Sequence, residues 1–213
     1  GDADRCRAVD ETGSEIDGDQ IMAVCAEFLT AQGKLQSQGF VATVMSNLGL
    51  HKFCKEQNLK LLCAAVGDRN VLELMQKESM VLGGEQSGHI IFLEHMTTGD
   101  GQLAALQFLS ILSASGKKAS ELANQITHYP QILRNVKVSS NAEKTAILAS
   151  EELEKAKAAE EEKIAGRGRI LLRASGTEPL IRVMAEADTQ DLAESVVQAL
   201  VEAVENVQKI LEK

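Results

Sequence analysis

Two nearly continuous apolar runs, residues 40–45 and 59–66, constrain this chain more than any other feature. The first reads Phe40-Val41-Ala42-Thr43-Val44-Met45, and the second is apolar throughout apart from Lys60. A strand apolar at alternate positions buries one face, whereas one that is apolar almost everywhere must be covered on both. Segments of helical spacing follow each run, at 46–57 and 70–78. The covering layers are therefore crossover helices, and the sheet between them is mainly parallel. Upstream, Ile21, Val24, Cys25 and Phe28 form one helical stripe behind Asp17-Gly18-Asp19, whose carboxylates suit a helix N-terminus. Short strands at 80–82 and 90–93 flank a glycine-rich loop. Asp100 can cap the next helix, whose apolar residues at 103–112 fall almost all round the wheel, as in a helix buried inside its domain.

Tyr129-Pro130 is a natural break, and the periodicity changes at about residue 134. Beyond it the pattern predicts a strand at 136–138, one charged helix over 142–163 and strands at 169–174 and 180–186. The last helix follows Asp188-Thr189 and carries Leu192, Val196, Leu200, Val204, Val207 and Leu211 on one face. This order, β-α-β-β-α, reads as a smaller α+β domain. The run Glu160-Glu161-Glu162 reads as a solvated helix end.

With 213 residues, of which 44% are hydrophobic and 25% charged, the chain has ample material for a buried core in one or two domains. A net charge of −9 argues against nucleic acid or an anionic membrane surface as partner, since both need a basic footprint. Any phosphorylated ligand must then be captured by local cationic loops. Cys6, Cys25, Cys54 and Cys63 show no metal spacing and read as reduced core residues of a cytoplasmic protein. No apolar stretch reaches the roughly 18 residues of a membrane span, and no leader pattern is visible. A start at Gly1, immediately before an acidic motif, reads as the start of a fragment.

Three polar loops carry the chemistry. In Gly83-Gly84-Glu85-Gln86-Ser87-Gly88-His89, the side chains of Glu85, Ser87 and His89 alternate, so in an extended segment they emerge on one face. A carboxylate, a hydroxyl and an imidazole suit the hydroxyls of a sugar; the glycines suit a wide hairpin equally well. In Arg173-Ala174-Ser175-Gly176-Thr177-Glu178-Pro179, Arg173 and the next strand's Arg182 can project toward a turn whose Ser175, Gly176 and Thr177 offer hydroxyls and amides. Charge-assisted hydrogen bonds of roughly 1.5–3 kcal/mol each can hold a phosphate there, although an ordinary hairpin turn is the alternative. Asp2 and Asp4, with Arg5 following, resemble hard-cation ligands for Mg²⁺, against the alternative of a solvated loop. Gly67-Asp68-Arg69 ends the second apolar run, where open α/β sheets bind ligands. Asp68 reads as a helix cap and Arg69 as a second phosphate contact. His51, His95 and His128 show no partner, and no loop position supplies an activated nucleophile.

Taken in order, Asp2-Ala3-Asp4-Arg5, Val66-Gly67-Asp68-Arg69, Gly-Gly-Glu-Gln-Ser-Gly-His and Arg-Ala-Ser-Gly-Thr-Glu-Pro resemble the α-D-phosphohexomutase family over essentially the whole chain. The resemblance implies four domains, of which residues 1–14 would end the second with its metal loop. Residues 15–133 would be the third, with the sugar loop, and 134–213 the fourth, with the phosphate loop. The family's metal loop reads Asp-Gly-Asp-x-Asp-Arg, so Asp2 and Asp4 carry over and one aspartate is lacking. The implied reaction is reversible: an enzyme phosphoserine, in the absent first domain, phosphorylates glucosamine 6-phosphate, the bisphosphate turns round, and glucosamine 1-phosphate leaves toward UDP-N-acetylglucosamine and peptidoglycan. Glu85, Ser87 and His89 are implied as sugar ligands, Arg173, Ser175, Gly176 and Thr177 as the phosphate clamp, and Arg5, Arg69 and Arg182 as further substrate contacts. Mg²⁺ is the implied cofactor, a hexosamine or hexose bisphosphate the activator, and a homodimer of the intact enzyme is compatible with the family. The chain alone is expected to be inert. The alternatives are a phosphomannomutase or phosphoglucomutase, or a phosphosugar-binding module that performs no transfer.

Overall fold

The computed structural model describes residues 2–176 and 178–211, and the chain divides into two compact units, Gly1–His128 and Tyr129–Lys213. The first is α/β. Its four-stranded sheet has the order β4-β3-β5-β6, with β3 (Gly39–Thr43) parallel to β4 (Lys60–Ala64) and to β5 (Leu82–Gly84), and β6 (Ile90–Phe92) antiparallel to β5. Every residue of β3 is buried, because successive side chains feed opposite layers. Phe40 and Ala42 join Ile21, Leu50 and Phe108 from α1 (Gly18–Ala31), α2 (Leu48–Glu56) and α4 (Gly101–Ser115). Val41 joins Val71 and Met75 from α3 (Asp68–Glu78) on the other side. Burial of each large side chain contributes about 1.5–3 kcal/mol, which is why this run tolerates almost no polar residue.

Helix starts follow the local chemistry. Asp17 caps α1 through the amide of Gln20 (3.0 Å) while the Gln20 side chain accepts from the Asp17 amide (3.1 Å). Asp100 caps α4 through the amides of Gln102 and Leu103, as expected. A short helix α5 (Ala119–Ala123) and a hairpin of β1 (Ala8–Val9) with β2 (Glu15–Ile16), absent from the sequence reading, complete this unit.

Several expectations are corrected. The run 59–66 forms an edge strand with Cys63 and Val66 exposed, since only β3 pairs with it. Leu106 and Leu109 on α4 are 66% and 55% exposed, so that helix is not buried all round. Gly67, not Asp68, occupies the cap of α3; Asp68 is its first helical residue. His128 stands 3.6 Å from Asp17, and His95 3.3 Å from Gln107, so neither lacks a partner.

The second unit is α+β, an antiparallel sheet of order β7-β9-β8 from β7 (Gln131–Lys137), β8 (Gly168–Ala174) and β9 (Leu180–Ala187). Ile181, Val183 and Ala185 of β9 face the helices, meeting Val196, Leu200 and Val204 of α8 (Gln190–Leu211). The single helix predicted over 142–163 is two, α6 (Asn141–Leu148) and α7 (Glu151–Lys163), because Ser150 turns its hydroxyl onto the amide of Leu153 (3.2 Å) and restarts the helix. Glu160 is 6% exposed and paired with Lys163, so the acidic run is not wholly solvated, whereas Leu211 is exposed. Among the described residues no helix is long and apolar enough to cross a membrane.

Candidate functional site

In the first unit, the β5–β6 turn is held from three sides. Within it, the Glu85 amide donates to His89 O (2.9 Å) and the Gly88 amide to Glu85 O (3.0 Å). The start of α1 reaches it through the Gly18 amide to Gln86 O (3.0 Å), and the 2–6 loop through the Cys6 amide to Gly88 O (3.0 Å). Glycine is required at two of these approaches. A Cβ on Gly18 would lie far inside contact distance of Glu85 O, and one on Gly88, at φ +96, would meet Cys6 O.

The Glu85 carboxylate is fixed at both oxygens: one accepts from the Gly67 amide (3.0 Å), the other from the Ser87 hydroxyl (3.4 Å). Gly67 donates from a backbone at φ +124, a conformation that favours glycine. The turn after β4 and the turn after β5 thus meet at one carboxylate, beside a cleft of about 680 Å³ lined by Arg5, Arg7, Thr43, Val66, Glu85 and Ser87 among others. A fixed carboxylate with an adjacent hydroxyl and two guanidiniums can accept from sugar hydroxyls and offset phosphate charge.

Two of the expected ligands lie elsewhere. His89 is buried, its Nε2 accepting from the Gly99 amide (3.1 Å) and its Nδ1 3.0 Å from Asp4 Oδ2. An acceptor at Nε2 leaves Nδ1 as the donor, so the ring orients Asp4 and offers nothing to the cleft. The Arg69 guanidinium is 87% exposed, pairs with Glu73 at 2.8 Å and does not line the cleft. Arg7, which the motif reading passed over, does line it while pairing with Glu15 at 2.6 Å. Its signal was its spacing, two residues beyond Arg5 in an extended segment.

Asp2 and Asp4 lie close together, and the Asp4 carboxyl is held below its usual range by its side-chain interactions, with Asp2 first and His89 second. Paired hard oxygens of this kind fit Mg²⁺ chemically. Among the described residues no cluster of three or more metal-ligating side chains stands together, so these two would form part of a coordination set.

In the second unit, Arg173 and Arg182 are direct partners in the β8–β9 register, on the sheet face opposite the helix-packed Leu172 and Val183. Burial, and then the charge of Arg182, push the Arg173 guanidinium below its ordinary value. Among the described residues both Nε atoms are buried without a hydrogen-bond partner, and Arg182 has a long 3.9 Å pairing with Glu178. Ser175 is 2% exposed, its hydroxyl turned inward to the Glu178 amide (3.3 Å), whereas Gly176 is exposed with open space where a Cβ would stand. Lys144, missed by the sequence reading, donates to Ser175 O (2.8 Å) and Glu178 O (3.2 Å). Thr177 lies outside the described residues. Cys25 and Cys54 are unreactive at neutral pH, burial pushing both thiols up to about 12.

Comparison with known proteins matches residues 17–129 to the phosphoglucomutase/phosphomannomutase alpha/beta/alpha domain III and 133–203 to the phosphoglucomutase/phosphomannomutase C-terminal domain. A phosphoglucosamine mutase of Ligilactobacillus salivarius is 51% identical over 96% of this chain and 45% of its own length. One of Carboxydothermus hydrogenoformans is 52% identical over 97% of this chain and 46% of its own. The chain thus spans about half the length of the curated relatives it matches. An Aspergillus fumigatus N-acetylphosphoglucosamine mutase, crystallised with GlcNAc-6P and magnesium, shares the fold with a TM-score of 0.79 at 21% identity, over 98% of this chain and 48% of that one.

Proposed function

This chain belongs to the phosphoglucomutase/phosphomannomutase family, and we propose that the intact protein is a phosphoglucosamine mutase. It interconverts glucosamine 6-phosphate and glucosamine 1-phosphate in the bacterial cytoplasm, toward UDP-N-acetylglucosamine and peptidoglycan. The observation that carries the reading is the convergence of Arg5, Ser87 and a Glu85 carboxylate held by the Gly67 amide on one cleft, in a chain about half identical to enzymes of that name. In this reading residues 1–14 close the second domain, 15–133 form the third and 134–213 the fourth.

The reaction has two transfers. The sugar O1 attacks the phosphorus of an enzyme phosphoserine outside this chain, and the serine oxygen leaves. The bisphosphate turns round, and the serine oxygen then takes the phosphoryl group from O6, releasing glucosamine 1-phosphate. A hexosamine or hexose bisphosphate, by the same chemistry run in reverse, would prime the serine. This chain's residues bind and orient. Glu85, held by Gly67 and Ser87, accepts from adjacent sugar hydroxyls, and Arg5 and Arg7 offset phosphate charge at the cleft. Arg173, Arg182 and the open backbone of Gly176, with Thr177, take the phosphate that is not reacting. Asp2 and Asp4 would hold Mg²⁺, which neutralises charge on the transferring group.

The test is conversion of glucosamine 6-phosphate by the intact protein with Mg²⁺ and a trace of hexosamine bisphosphate, beside glucose and mannose 6-phosphates. Glucosamine 1-phosphate should form fastest. Faster turnover of another sugar would identify a phosphoglucomutase or phosphomannomutase, and tight binding with no turnover a phosphosugar-binding module. The 213-residue chain alone should give no product, because none of its residues is assigned as the phosphoryl-carrying serine.

A further inference from the structure

Lys144 is 8% exposed, and among the described residues its ammonium has no ion-pair partner; it donates instead to the carbonyls of Ser175 and Glu178. A buried cation normally pairs with an anion, since its desolvation is otherwise uncompensated. The sequence gives Lys144 this position: Ser140 caps α6 through the Glu143 amide (3.1 Å), which places Lys144 at the end of the first turn, facing the β8–β9 turn. With the Ser175 carbonyl drawn inward, the trans peptide turns the Gly176 amide the other way, and Arg173 and Arg182 pair on the strands that lead into and out of this turn. Lys144 thus joins Arg173 and Arg182 at one turn, and the Glu178 carboxylate, 59% exposed, stands 3.9 Å from Arg182. A group of this charge suits a bound dianion.

We propose that Lys144 is a positioning residue of this phosphate-binding turn: its two hydrogen bonds set the backbone that receives the phosphate, and its charge adds to that of the arginine pair. The proposal rests on the reading of residues 173–179 as a phosphate site.

The experiment compares Lys144→Met, Lys144→Gln, Lys144→Arg and Arg173→Ala in the intact protein, with inorganic phosphate affinity, KM and kcat for glucosamine 6-phosphate, and thermal melts. Lys144→Met should weaken phosphate binding and raise KM by about tenfold, the scale of one charge-assisted hydrogen bond, while kcat changes much less. Lys144→Arg, which keeps charge and donors, should recover most of the affinity. Wild-type phosphate affinity in Lys144→Met, with loss in Arg173→Ala, would overturn the role of Lys144 and leave the site standing. Wild-type affinity in Arg173→Ala would remove the site itself. Should Lys144→Met fail to fold, the Gln and Arg variants decide: equal phosphate affinity in those two overturns the proposal.

Discussion

Arg173 and Arg182 stand opposite one another in the β8–β9 pairing, and neither buried Nε has a hydrogen-bond partner among the described residues. Like charges directly opposite in a sheet destabilise it, so this pair is better explained by an anion than by the fold. Arg173→Ala should leave the melting temperature unchanged or slightly raised. It should cost phosphosugar binding roughly 1.5–3 kcal/mol, a tenfold or larger rise in KM, with a smaller effect on kcat. Arg173→Lys should also be impaired, since a point charge does not replace a planar fork. A variant that melts lower but binds normally would make the arginines structural.

The glycines of the two loops should separate cleanly. Gly176 has open space around it, so Gly176→Ala should be neutral or gain up to about 1 kcal/mol of stability while obstructing the approach of a phosphate to the backbone. Gly88→Ala meets Cys6 O at φ +96 and should destabilise the first unit by about 1–3 kcal/mol. Urea melts beside phosphate titrations would show this; a Gly176→Ala variant with full phosphate affinity would contradict the assignment.

Much that depended on periodicity or on a local cap was legible in the sequence, although the cap of α3 and the Ser150 cap that splits 142–163 into two helices were misread. The doubly covered strand β3, the capping of α1 and α4 and the buried stripe of α8 follow from residues within a few positions of each other. The other failures depended on long-range pairing. Only the strand order reveals that β4 is an edge, and only the tertiary fold brings Asp4 to His89, 85 residues away, and turns that ring inward. Arg69 was misplaced and Lys144 passed over for the same reason: a helical residue's face is set by what packs on it. Glu85 and Ser87 do meet, but across the tight β5–β6 turn and not by alternation along an extended segment.

Glu85 has a structural task beside its proposed ligand role, because its carboxylate ties down the Gly67 amide. Glu85→Gln keeps an oxygen for that bond, so it should fold normally yet turn over aminosugar phosphate slowly, an amide being a poorer acceptor of two hydroxyls. Glu85→Ala leaves the Gly67 amide unpaired at a cost of about 1–3 kcal/mol. Equal melting temperatures for Gln and Ala variants would show that the Gly67 contact carries no stability.

Asp17 gives the first unit an acid limit. Burial alone would raise its carboxyl, but the hydrogen bond from His128, the Gln20 amide and the charge of His128 outweigh burial, and the net shift is downward from 3.8. A carboxyl depressed in the folded state binds protons less readily there than in the unfolded chain. Its stabilising contribution is therefore complete above the unfolded value and is lost as pH falls through it toward the folded one. Asp17→Asn retains an oxygen for the α1 cap but does not titrate, so the stability gap between wild type and variant should be present at about pH 5 and close below about 4. Urea melts at intervals across that range test this. A gap that stays constant at acid pH would mean that the Asp17 carboxyl titrates alike in the folded and unfolded chain, and that its pairing with His128 adds nothing.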